Sequence, residues 1–126
     1  MIIQRETTPI TATTLADVLA GKGYGWDSEK MLQSALYGVL ELNGIDARRE
    51  VTIGHCTRID FLAARTGIEV KIGGSLTKVA EQLQRYAQSD QVDDLLLVTT
   101  QHEHKALEGT IGGKPVTVYV VDGRYL

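Results

Sequence analysis

The chain has one cysteine, Cys56, among 126 residues. A lone thiol excludes an intramolecular disulfide framework and points to a reducing compartment. No stretch approaches the roughly 20 consecutive apolar residues of a membrane span. The N-terminal stretch also lacks the basic-then-apolar layout of a signal peptide. The expectation is a cytoplasmic chain with no membrane partner. Basic charge is scarce too: 13 Lys and Arg against 16 Asp and Glu leave a net charge of −3. Such a molecule is no polycation, so any contact with nucleic acid has to come from a local basic patch. Internal repeats and low-complexity linkers are absent, and the length suits one domain with a core of its own.

What stands out against this background is residues 60–71, Asp-Phe-Leu-Ala-Ala-Arg-Thr-Gly-Ile-Glu-Val-Lys. Ile59, Phe61 and Ala63 alternate with Arg58, Asp60 and Leu62. Ile68, Val70 and Ile72 alternate with Glu69 and Lys71. This period of two marks a pair of half-buried strands. Residues 64–67 make a hairpin loop, with Gly67 free to take a positive φ. If Ala63 pairs with Ile68, Asp60 lies opposite Lys71 and diagonal to Glu69, and all three side chains point the same way. Two carboxylates and an amine then crowd one patch of sheet. A solvated sheet face gives the same alternation, so the pattern acquires meaning from its surroundings.

Residues 1–14 read as a polar, threonine-rich arm. Leu15, Val18 and Leu19 suit a short helix stopped by Gly21. Gly21-Lys22-Gly23-Tyr24-Gly25 lacks the spacing and the Lys-Ser/Thr ending of a P-loop and reads as a hinge. Trp26 is expected to anchor the following helix. Asp27 or Ser28 caps that helix, which runs to about Asn43 with Gly44 as its stop. Its apolar stripe is Leu32, Ala35, Leu36, Val39 and Leu40. Glu29 falls in the first turn on the side of that stripe, where it either favours the helix dipole or belongs to a site.

A strand over residues 48–53 turns at Gly54-His55 into the two strands at 57–63 and 68–72. Ser75 caps a second main helix to about Ser89, striped by Leu76, Val79, Ala80, Leu83 and Ala87. Gln82 and Tyr86 are i, i+4 neighbours at the stripe's edge, while Lys78, Gln82 and Arg85 share a second face. The apolar run at 95–98 suits a strand buried on both sides. Gly112-Gly113-Lys114-Pro115 feeds a last strand at 116–121. The expected class is α/β, a mixed sheet flanked by helices in the order α-β-β-β-α-β-β. Residues 1–26 form an arm and short helix, and residues 27–126 the main domain. His102-Glu103-His104 has no cysteine nearby and reads as a polar loop or short helix rather than a zinc site. Cys56 has no compelling base and is given no catalytic role.

Over roughly residues 29–98 the sequence resembles the PD-(D/E)xK nuclease superfamily, with its restriction-endonuclease-like fold. Asp60 matches the family's acid, Glu69-Val70-Lys71 its E-x-K, and Glu29 the acid often found on the first helix. Gln82 to Tyr86 resembles the Q-x-x-x-Y of the RecB-like branch, which includes many exonucleases and phage or CRISPR-associated nucleases. Ile59 stands where the signature has proline. The resemblance implies a DNA phosphodiester hydrolase dependent on Mg²⁺ or Mn²⁺, from a phage or mobile element, with RNA as an alternative substrate. In it, Asp60, Glu69 and the Val70 carbonyl are hard oxygen ligands, and Glu29 completes the shell through water. Lys71 contacts the attacking water and the phosphate. Gln82 orients Lys71 or a phosphate. Tyr86 either buttresses the site or packs in the core, and it is grouped with Lys78, Arg85, Arg58 and Arg48 as a nucleic-acid-facing candidate; Arg49 and Arg65 are further basic positions. A homodimer would set two such sites on two strands. The alternative is a nuclease-like module that no longer cuts and serves as a binding or regulatory subunit.

Overall fold

The computed structural model describes residues 9–121. Three α-helices and six strands make one sheet covered on both faces: α1 (Ala12–Leu19), α2 (Glu29–Leu42), β1 (Ala47–Gly54), β2 (Thr57–Ala63), β3 (Thr66–Lys71), α3 (Leu76–Ala87), β4 (Asp94–Thr99), β5 (Gly109–Ile111) and β6 (Lys114–Val120). A 3₁₀ helix at His102–Leu107 separates β4 from β5. The strand order is β1-β2-β3-β4-β6-β5. β1, β2 and β3 form an antiparallel meander, β3, β4 and β6 run parallel, and β5 returns antiparallel to β6.

The helices begin where hydroxyl caps allow. Thr11, Ser28 and Ser75 each accept a backbone N–H of the first turn of α1, α2 and α3, satisfying donors that the helix itself leaves open. α1 and α2 cover one face of the sheet, where Leu15, Leu19, Leu32, Leu36 and Leu40 meet Phe61, Ile68, Val70 and Leu96. α3 covers the other, where Val79, Leu83 and Tyr86 meet Ile59, Leu62, Leu95 and Leu97. β4 is therefore buried on both sides, as its continuous apolar run implies. α1 is an integral part of the first face rather than an appendage. Its leucines are fully buried, and Asp94 at the start of β4 accepts the Ala12 N–H at 2.7 Å. Residues 1–8 of the expected arm lie outside the described residues. The glycine-rich segment after α1 is pinned by Tyr24, whose buried hydroxyl donates to the Leu19 carbonyl at 2.8 Å.

The β2–β3 hairpin departs from the expected register. Ala63 pairs with Thr66 and Phe61 with Ile68, so the loop is only Ala64-Arg65. The positive φ falls on Ala64, at 51°, and not on Gly67. A shift of two residues preserves which face each side chain takes, so the expected clustering survives the change of partners. Gly67 has a packing role instead. A Cβ there would lie 2.5 Å from Ile59 Cδ1 and 3.1 Å from Leu95 Cδ2. Ile59 reaches this space because β2 changes face between Ile59 and Phe61, opposite Glu50, which sits at φ 50°.

Candidate active site

The β2–β3 ladder has three pairs, from Ala63↔Thr66 to Phe61↔Ile68. Beyond them Asp60 supplies the next acceptor from its side chain, Oδ2 taking the Val70 N–H at 2.8 Å. The carboxylate is thereby wedged where the two strands part, against Glu69. From Glu69, Oε2 meets Lys71 Nζ at 3.2 Å, and Oε1 accepts the Tyr86 hydroxyl at 2.9 Å. Gln82 Nε2 donates in turn to Tyr86 Oη at 2.7 Å. α3 thus reaches β3 through a chain of two hydrogen bonds, made possible by the four-residue spacing that stacks Gln82 and Tyr86 on one helix face.

Electrostatics follow from this crowding. Glu69 is only 4 % exposed. Burial first, and repulsion from Asp60 second, push its carboxyl up to about 7. Burial likewise raises Asp60, with Glu29 adding repulsion and the Val70 N–H opposing the shift. Tyr86 is held protonated far above its usual range by burial and by the Glu69 charge it faces.

Glu69 and Lys71 lie at the carboxyl end of β3, and Lys71 opens onto a cleft of about 510 Å³ walled by α2 and α3, with Glu29, Gly73, Lys78, Gln82 and Arg85 around it. Glu29 is half-buried at the rim, and its Oε2 accepts the Ile72 N–H at a long 3.5 Å. Lys78 and Arg85 line the cleft as the basic face of α3. Other basic candidates do not reach it. Arg58 pairs with Glu50, Arg65 pairs with Asp93 beyond the opposite end of β3, and Arg49 lies over Tyr37 and Phe61. Arg48 is opposite Leu62, well back along the hairpin. Tyr86 is 2 % exposed, so it holds Glu69 from below and does not face a nucleic acid.

The structure adds two residues that the sequence left unassigned. His104 is fully buried, with Nδ1 2.7 Å from the Thr99 hydroxyl and Nε2 2.9 Å from the Gly74 carbonyl. Gln101 donates to the Ile72 carbonyl at 3.1 Å. Together they fix the loop between β3 and α3 that forms the cleft wall. Only the burial of a histidine within an otherwise polar stretch could have signalled this, and burial is not visible in a short helix without periodicity.

The donors present suit a hard divalent cation. Asp60, half-buried, and Glu69, buried, are neighbouring carboxylates, a placement that a cation between them would relieve. Among the described residues no group of three or more Asp, Glu, His or Cys side chains is gathered for a metal ion. The set is therefore a carboxylate pair with the Val70 carbonyl beside it and Glu29 further off. Comparison of the chain with family models, with curated proteins and with solved structures gives no match.

Proposed function

We propose that this chain is a metal-dependent nuclease with a restriction-endonuclease-like core, hydrolysing DNA phosphodiester bonds in a structure- or end-directed manner. One observation carries the reading: Asp60 and Glu69 are packed together where two strands part, with Lys71 3.2 Å from Glu69 and facing an open basic cleft. Asp60, Glu69 and the Val70 carbonyl are the groups that would hold Mg²⁺ or Mn²⁺, with Glu29 acting through water. The chemistry such a cation would supply is polarisation of a phosphate and a lowered pKa for its bound water.

The chain's own side chains supply the rest. Lys71 places a fixed positive charge where the attacked phosphate gains negative charge and can donate to the incoming water. Tyr86 and Gln82 lock Glu69 in one orientation, which gives a physical role to the Q-x-x-x-Y spacing. Gln82 does so through Tyr86 rather than by touching Lys71. Lys78 and Arg85 draw the phosphate backbone into the cleft.

Both Glu69 oxygens are already engaged, by Tyr86 and Lys71. That favours, as a second reading, a nuclease-like module that binds without cutting. Labelled single-stranded, duplex and branched DNA, with RNA alongside, incubated with Mg²⁺ or Mn²⁺, separates the two. The nuclease reading expects cleavage of at least one substrate by the wild type and none by Lys71→Ala. Binding without cleavage under every condition supports the silent module instead.

A further inference from the structure

A second cavity, of about 320 Å³, lies between the C-terminal end of α3 and the tip of the β1–β2 hairpin, lined by Ile53, Gly54, His55, Thr57 and Gln88. Arg85 lines this cavity and the active-site cleft alike, so the two adjoin at its side chain and together follow α3 as a groove. The Ser89 hydroxyl donates to the Ile53 carbonyl and ties the hairpin to the helix end. Cys56, at φ 56°, turns the tip and leaves His55 exposed at the rim. Further on, the surface beyond Gln88 reaches Asp90, a carboxylate that repels a polyanion.

Along the groove, Lys71 is bound to Glu69 and Glu29 lines the cleft end, but Lys78 and Arg85 are unpaired. Lys78 and Arg85 lie seven residues apart on one face of α3, about 10 Å along its axis. Among the described residues neither side chain has an ion-pair or hydrogen-bond partner, whereas Arg58 and Arg65 are neutralised by Glu50 and Asp93. A row of free cations along one helix face matches one polyanionic backbone. A duplex presents two, and the second would meet no corresponding row.

We propose that the groove takes one unpaired nucleic-acid strand, which passes from the cleft over Arg85 and lies between α3 and the hairpin tip, where the His55 imidazole meets a further phosphate. No Phe, Tyr or Trp side chain lines the second cavity, so recognition there is chiefly of backbone and not of base. The cleft end of this path rests on the nuclease reading, while the hairpin end is tested separately.

The test is fluorescence anisotropy in chelator, so that nothing is cut. Labelled single strands of about four and about twelve nucleotides are compared with a duplex of the longer one. The long strand binds more tightly than the duplex. His55→Glu weakens the long strand several-fold, leaves the short strand unchanged, and retains the wild-type Mn²⁺-induced rise in Tm, which shows an intact fold and carboxylate pair. Arg85→Ala lowers the salt slope of long-strand binding by about one. Equal affinity for duplex and single strand, or an unaltered long-strand affinity in His55→Glu, overturns the groove proposal and leaves the nuclease reading standing. The expected binding pattern with no cleavage in Mn²⁺ upholds the groove and removes the nuclease reading.

Discussion

At the scale of single residues, Glu69 decides how the site responds to pH. Its carboxyl rises from the ordinary 4.5 to about 7, so between those values the folded chain keeps a proton that the unfolded chain has released. The folded state binds more protons there, and stability falls as pH rises from about 4.5 to about 7, then levels off. Asp60 shifts in the same direction and adds to the slope. Without divalent cation, urea melts at pH 5 and pH 8 should therefore show the lower stability at pH 8, and Glu69→Gln should flatten the difference. A wild type equally stable at both would contradict the burial argument. Tyr86→Phe removes the hydrogen bond that holds the Glu69 charge, so it should cost about 1–3 kcal/mol at pH 8, with a smaller loss at pH 5, and move the midpoint above 7. A loss that is the same at both pH values would show that Tyr86 only fills space. The placement of Asp60, Glu69 and Lys71 on one face was legible in the sequence because strand alternation needs no tertiary knowledge. The Tyr86–Glu69 bond was not, since helical spacing puts Tyr86 at the stripe's edge without saying which strand lies below it.

Among the elements, the β2–β3 hairpin carries the site, and its register shows the limit of pattern reading. Alternation fixes faces but not partners, and a shift of two residues leaves every apolar position where the pattern wants it. The loop choice turned on Gly67, the residue best suited to positive φ, yet Ala64 takes that conformation. Gly67 is kept small by Ile59 and Leu95, both fully buried. Gly67→Ala should destabilise by about 1–3 kcal/mol through overpacking. Ile59→Val deletes the Cδ1 atom in the way, so the double variant should recover part of that loss, as a chemical-denaturation double-mutant cycle would show. Additive losses would mean that Ile59 is not the obstacle. The short strand β5 escaped the sequence reading because three residues are too few to display a period, whereas the 3₁₀ helix falls where a polar loop or short helix was expected.

For the molecule as a whole, an acidic protein with an unpaired basic pair, Lys78 and Arg85, along its cleft should bind nucleic acid through phosphates alone. Lys78→Ala and Arg85→Ala should weaken binding alike for all sequences, in titrations over a range of salt. Loss confined to one sequence would indicate base readout. The central claim concerns the carboxylate pair. Asp60→Asn can still accept the Val70 N–H, but it removes one of two opposed charges and a good cation ligand. Thermal melts of wild type and Asp60→Asn, each in chelator and in Mn²⁺, test this directly. In chelator the variant should match or exceed the wild type. With Mn²⁺ at a hundredfold excess over Kd the wild type should gain about 2.7 kcal/mol, and Asp60→Asn should lose most of that gain. Equal gains in the two proteins would show that Asp60 holds no cation and that these charges are only the polar face of a sheet.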